Sequence, residues 1–125
     1  MVINNFLKKT ILIVDNDSAS LLLLNEILEE FEFIIFCAGN GYSALKLLQE
    51  QSVDLVLLDI ILPDISGFSV LEEIKSKFDY QIKVIVQTTF KVEDNKYYLD
   101  AGFDDYIIKP INTEELLEKI EKVFY

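Results

Sequence analysis

Val56-Leu57-Leu58-Asp59-Ile60-Ile61-Leu62-Pro63-Asp64-Ile65-Ser66-Gly67 begins as an apolar run closed by a carboxylate, with Pro63 four residues beyond it and Gly67 eight beyond. A short, uncharged run of this kind reads as a strand covered on both faces. Pro63 and Gly67 then punctuate the chain before an amphipathic stretch begins. Asp59 is thereby set at the carboxyl end of a buried strand, where an open α/β sheet has its ligand-binding crevice.

Working outward, the same pattern recurs. Ile11-Leu12-Ile13-Val14 runs into Asp15-Asn16-Asp17, Val84-Ile85-Val86-Gln87 into Thr88, and Tyr106-Ile107-Ile108 into Lys109-Pro110. Candidate strands are 10–14, 33–37, 54–58, 82–87 and 105–108, four of them near-continuous hydrophobic runs. Helical stretches fall between and after them, at 18–31, 41–51, 67–78, 91–101 and 112–123. Five βα units in strict alternation predict one doubly wound α/β domain, a five-stranded parallel sheet with helices on both faces. The domain spans 10–125, and residues 1–9 are a short N-terminal extension.

Local signals agree with this order. Asn112-Thr113-Glu114-Glu115 offers a side-chain N-cap ahead of Leu116, Leu117, Ile120 and Val123. Gly102 follows Ala101 where a helix would end on glycine. The 91–101 helix is the most polar, with only Val92, Tyr97, Tyr98 and Leu99 to bury, and low local stability suits a segment that moves.

Composition excludes several function classes. The chain has 125 residues, 51% of them hydrophobic, enough for a buried core and too many for disorder. Twenty-two acidic residues face eleven lysines, with no arginine or histidine, for a net charge of −11. Direct binding to nucleic acid or to an anionic membrane is therefore not expected. Without histidine the chain cannot build a Ser-His or Cys-His pair or a histidine metal site. Cys37, the one cysteine, lies in the apolar stretch Phe33-Ile34-Ile35-Phe36-Cys37-Ala38 and reads as an inert core side chain. No intrachain disulfide is possible, no apolar run approaches the ~20 residues of a membrane span, and Met1-Val2-Ile3-Asn4-Asn5 does not read as a secretory signal. A cytoplasmic location is expected.

With all strands parallel, Asp15 and Asn16, Asp59, Thr88 and Lys109 converge on one edge of the sheet. Carboxylates facing a lysine across several strand ends point to a cation and a phosphoryl group. Singly, each residue has a plainer reading. An aspartate ending a strand commonly caps a helix, and Asp17 and Ser18 are assigned to capping the first helix. Thr88 and Thr89 read alone as strand-end hydroxyls, Lys109 as a solvated lysine, and Tyr106 as core.

Together these residues resemble the receiver domain of two-component response regulators, the CheY-like family. The resemblance rests on Ile13-Val14-Asp15, the Asp59…Pro63-Asp64…Gly67 loop, Thr88, and Ala101-Gly102-Phe103-Asp104-Asp105-Tyr106-Ile107-Ile108-Lys109-Pro110, from about residue 10 to 124. It implies a flavodoxin-like (βα)5 fold with strand order 2-1-3-4-5. It also implies that Asp59 is the phosphoacceptor, taking a phosphoryl group from the phosphohistidine of a histidine kinase or phosphotransfer protein. Asp15, Asn16, Asp59 and the backbone carbonyl of Ile61 would hold Mg²⁺. Lys109 would pair with Asp59 and then with a phosphoryl oxygen. Thr88 would donate to another oxygen, Tyr106 would turn with it as the switch, and the Lys109-Pro110 peptide would be cis. Such a module catalyses its own phosphorylation and dephosphorylation rather than acting on a separate substrate. It signals through the face of the fourth helix, fifth strand and fifth helix to a protein target or a second copy, with Lys96, Tyr97 and Tyr98 as candidate contacts. The chain is either free-standing or part of a hybrid kinase or longer regulator.

Two positions depart from the family pattern. Asn16 stands where a second acid is usual, so weaker Mg²⁺ binding is expected. Thr89 stands where a small residue is usual and narrows the approach to Asp59. Ile61 and Phe90 are apolar at positions flanking the phosphoryl group, which would shield an acyl phosphate from water. Asn16 and Thr89 also permit an alternative, a receiver-shaped binding module that works without phosphorylation. A Mg²⁺-dependent phosphatase or mutase is a third class, disfavoured because Ile61 cannot serve as its general acid.

Overall fold

The computed structural model describes residues 9–78, 81–89 and 96–125. In chain order its elements are β1 (Thr10–Val14), α1 (Ser18–Glu29), β2 (Ile34–Ala38), α2 (Gly41–Glu50), β3 (Leu55–Asp59), α3 (Gly67–Lys77), β4 (Lys83–Thr88), α4 (Lys96–Ala101), β5 (Asp105–Ile108) and α5 (Thr113–Phe124). The strands form one parallel sheet in the order β2-β1-β3-β4-β5, the doubly wound arrangement expected. No helix among the described residues is long and apolar enough to cross a membrane.

Alternation along the strands sorts the core into two layers. Ile11 and Ile13 of β1, Leu55 and Leu57 of β3, Ile85 of β4 and Ile107 of β5 pack with α1 and α5 through Leu24, Leu28, Leu116 and Ile120. The intervening residues Leu12, Val14, Val56, Leu58, Val84 and Val86 pack with α2, α3 and α4 through Leu48, Val70, Ile74 and Tyr98. Each such side chain, fully buried, contributes roughly 1.5–3 kcal/mol relative to exposure. Four of the helices, α1, α2, α3 and α5, start on side-chain caps: Asp17, Asn40, Ser66 and Asn112 each accept a backbone N–H of the first turn.

Three expectations need correction. The 33–37 run does not form a strand covered on both faces. β2 is the sheet's edge, leaving Ile34 and Cys37 exposed, so Cys37 is not a core residue. Partial burial pushes its thiol pKa up, away from the reactive thiolate. The first helix stops at Glu29 rather than 31, because the chain turns through Glu32 at φ 63°. Of the three α4 side chains expected to be buried, only Tyr98 is, at 2% exposed. Tyr97 and Leu99 are about half exposed, at 53% and 45%. Tyr98 is thus removed as a surface contact, because it packs against Phe103 and Tyr106. Gly102 ends α4 at φ 111°, a left-handed value that favours glycine. Residues 91–95 of the expected helix, with Val92, lie outside the described residues, as does Phe90.

Candidate functional site

Asp15 follows β1, Asp59 ends β3, Thr88 ends β4 and Lys109 follows β5, so the strand order sets them along one edge of the sheet. Lys109 reaches back past β4. Its Nζ donates to Asp15 Oδ2 at 2.7 Å and to Asp59 Oδ2 at 3.0 Å, bridging two carboxylates from different strands. The other oxygen of each acid is fixed by its own loop. Asp15 Oδ1 accepts from the Asp17 N–H at 2.9 Å, and Asp59 Oδ1 from the Ile61 N–H at 3.0 Å. The backbone N–H of Lys109 donates to the Thr88 carbonyl at 2.7 Å, and the Lys109–Pro110 peptide bond is cis.

Two negative charges share one positive charge here. Burial alone would lower the Lys109 pKa. The hydrogen bonds and charges of Asp15 and Asp59 outweigh it, so its pKa lies above the usual lysine value. Asp15 is 1% exposed and Thr88 4%, whereas Asn16 and Thr89 are exposed at the rim. These residues line a cavity of about 200 Å³ together with Asp59, Ile61 and Lys109. The Ile61 side chain is 74% exposed and stands at the mouth. Asp17 also borders the cavity, but its carboxylate caps α1, accepting from the Ala19 N–H at 3.1 Å and the Ser20 hydroxyl at 3.0 Å.

The chain around Asp59 is held by close approach. A Cβ on Gly67 would meet the Asp59 carbonyl oxygen at 2.6 Å and Ile60 Cα at 2.7 Å, so only glycine fits while its N–H donates to the Ile60 carbonyl at 2.8 Å. Asp64 has a part that sequence reasoning missed. Its carboxylate accepts from the N–H groups of Gly41 and Tyr42 at 2.8 Å each, docking the β3–α3 loop on the amino end of α2. Desolvation would raise its pKa, but the backbone donors of Tyr42, Gly41 and Ile65 outweigh that and hold it below the usual carboxylate value. The only signal in the sequence was an acid directly after Pro63.

Tyr106 sits half-buried on β5, its ring 5.8 Å from that of Tyr98 and 4.4 Å beneath the Lys119 ammonium. The Lys119 ammonium also donates to the Tyr106 carbonyl. The cavity's donor set suits a hard cation. Asp15 and Asp59 supply carboxylates and Asn16 an amide oxygen, and Mg²⁺ takes one or two carboxylates while keeping several waters. Among the described residues no group of three or more acids, histidines or cysteines offers a denser metal cage.

A family model described as the response regulator receiver domain matches residues 11–121. The chain belongs to that family. Solved structures agree with it along nearly their whole length. A CheY-like receiver domain protein from Methanospirillum hungatei JF-1 is 36% identical, with 93% of each chain covered and a TM-score of 0.83. The response regulator TrrA from Thermotoga maritima, in complex with Mg²⁺ and BeF, is 38% identical, covering 92% of this chain and 98% of its own with a TM-score of 0.82. A two-component response regulator from Clostridium difficile is 30% identical, with 94% and 96% covered and a TM-score of 0.85. The receiver domain thus has its conserved topology and brings Asp15, Asp59, Thr88 and Lys109 into one cavity.

Proposed function

We propose that this receiver takes a phosphoryl group onto Asp59 from the phosphohistidine of a histidine kinase or phosphotransfer protein, and so switches a partner-binding face. The observation that carries the reading is the bridge from Lys109 Nζ to Asp15 and Asp59, at the lip of a cavity that also reaches Thr88. An Asp59 oxygen attacks phosphorus in line, the P–N bond breaks, the imidazole leaves, and an acyl phosphate forms. A carboxylate is a poor nucleophile toward an anionic phosphoryl group unless positive charge removes the repulsion. Lys109 supplies part of that charge and then pairs with a phosphoryl oxygen, while the Thr88 hydroxyl donates to another. Asp15, Asn16, Asp59 and the Ile61 carbonyl would hold Mg²⁺, which when bound supplies further positive charge. The Mg²⁺–BeF complex of TrrA supports this assignment by analogy.

In this reading residues 10–125 form the receiver and 1–9 an extension. Engagement of Thr88 biases a pre-existing equilibrium that includes Tyr106 and α4. The readout is the α4-β5-α5 face, where exposed Lys96 and Tyr97 would meet a protein target or a second copy. Net charge of −11 fits a cytoplasmic protein partner better than nucleic acid or a membrane surface.

A second reading, a module that binds partners without phosphorylation, is favoured by Asn16, which stands at the rim where a second acid would strengthen the metal site. Incubation with Mg²⁺ and acetyl phosphate or phosphoramidate, followed by intact mass, separates them. The expected result is a gain of one phosphoryl group that Asp59→Asn abolishes. No gain from either donor or from a cognate kinase would replace the first reading with the second.

A further inference from the structure

The β3–α3 loop, residues 60–66, carries Ile61, whose N–H donates to Asp59 Oδ1 at 3.0 Å and whose carbonyl is proposed for Mg²⁺. The Ile61 side chain is 74% exposed, so burial does little to fix this residue and its backbone lies where the rest of the loop puts it. One restraint is Gly67, which closes the loop by donating to the Ile60 carbonyl at 2.8 Å. The other is Asp64. Its single carboxylate takes three backbone donors, Oδ1 from Gly41 and Ile65 and Oδ2 from Tyr42, each at 2.8 Å. Two of the three belong to α2, so charge-assisted bonds tie the loop to a different element. The contact has an apolar half as well. A Cβ on the buried Gly41 would meet Ile65 Cγ1 at 2.4 Å and Cδ1 at 2.8 Å, so the Ile65 side chain lies directly against the first turn of α2.

The link from this clasp to Ile61 is short and stiff. Leu62 and Pro63 alone intervene, and the proline ring fixes its own φ and restricts the residue before it. A shift at Asp64 therefore passes to Ile61 instead of being taken up between them. We propose that Asp64 is a positioning residue of the phosphorylation site: it clasps the loop to α2 and, through Ile61, sets the Asp59 carboxylate and the carbonyl offered to Mg²⁺. The proposal rests on the reading of Asp59 as phosphoacceptor. Outer partners of this kind, which orient a ligand without touching the metal, are commonly worth about 10–100-fold in metal affinity.

Amide hydrogen exchange and Mg²⁺ calorimetry on the full chain test it. In Asp64→Ala the Ile61 amide should exchange several-fold faster in metal-free buffer, and Mg²⁺ should bind about tenfold more weakly. Asp64→Asn can keep the bonds at one oxygen, so it should fall between the alanine variant and the unaltered chain, and it carries the test if the alanine variant does not fold. Asn40→Ala is the control, because it removes the acceptor of the Ser43 N–H at the same helix end and leaves the bonds of the loop in place. It should leave Ile61 exchange and Mg²⁺ affinity unchanged. Exchange or affinity that Asp64→Ala does not alter would overturn the proposal. So would an equal change in Asn40→Ala, which would mean that fraying of α2 carries the effect. The exchange measurement needs neither metal nor phosphodonor. Failure of the unaltered chain to accept a phosphoryl group from any donor therefore strikes the acceptor reading, whereas unchanged Ile61 exchange strikes the clasp.

Discussion

At the amino edge of the sheet, Asp54 and Asp104 turn their carboxylates onto backbone N–H groups of neighbouring strands; at the carboxyl edge, Asp15 and Asp59 turn theirs onto one ammonium. Asp54 Oδ2 accepts from the Thr10 N–H, and Asp104 Oδ2 from the Val84 N–H, each at 2.8 Å. The same residue type serves two ends differently for a reason inherent in parallel strands. Strand starts leave N–H groups to be matched, which a carboxylate does well, whereas strand ends leave carbonyls, which it cannot match. An acid at the carboxyl edge therefore has only the donors of its own loop and whatever cation the fold brings. Lys109 answers two carboxylates with one charge, and the remaining negative charge makes that edge receptive to a cation.

Removing the ammonium should have the largest effect. Lys109→Ala leaves the buried Asp15 unpaired and is expected to cost about 3–5 kcal/mol in urea unfolding at pH 7. Phosphorylation by phosphoramidate should slow by about 100-fold or more, as when one charge-stabilising donor is lost. The raised Lys109 pKa gives this prediction a pH arm. The bridge stabilises fully below the unfolded lysine value of about 10.4, and is lost as pH rises through the higher folded value. The stability gap between the native chain and the variant should therefore be constant up to that region and narrow above it. A gap that narrows near neutral pH would mean another group carries the effect.

Asp104→Ala is the matching cut at the amino edge. It orphans the Val84 N–H and should cost about 1–3 kcal/mol in the same unfolding assay. The phosphorylation rate should not change under conditions where the variant is folded. A rate loss like that of Lys109→Ala would erase the functional distinction between the two edges.

Asn16→Asp sharpens the carboxyl edge instead of breaking it. One added charge facing a divalent cation at ~4 Å and an effective dielectric of ~20 supplies at most about 8 kcal/mol before solvation, of which about 1.4 kcal/mol already makes Mg²⁺ bind about tenfold tighter. Calorimetric titration with Mg²⁺ reads this directly, and an unchanged affinity would place the metal elsewhere. The smallest effect is expected at the rim. Ile61→Asn replaces an exposed apolar side chain at the cavity mouth with one that orders water, and should shorten the acyl phosphate half-life several-fold. An equal half-life would show that Ile61 does not shield the phosphoryl group.

Much of this edge was legible beforehand because its signals are local. A hydrophobic run ending in Asp59, punctuated by Pro63 and Gly67, states both a buried strand and the loop that leaves it. Asp17 and Asn112 announced helix starts for the same reason, since capping joins residues two or three apart. Asp64 was not legible in this way. It bonds to Gly41 and Tyr42, more than twenty positions earlier, and no periodicity links them. Tyr97 and Tyr98 were indistinguishable by type, and only the short span of α4 and its seat beside Phe103 decide which ring is buried.

The sequence by itself determined the alternation of strands and helices, the parallel sheet, and the convergence of Asp15, Asp59, Thr88 and Lys109 at its carboxyl edge. Period-2 and period-3.6 patterning and strand-end residues are properties of neighbouring positions, and parallel connections leave few ways to assemble them. Tertiary structure alone decided that β2 is an edge with Cys37 exposed and that Lys109 bridges two strands' carboxylates. Those outcomes depend on which strand lies beside which, and on distances between residues far apart in the chain.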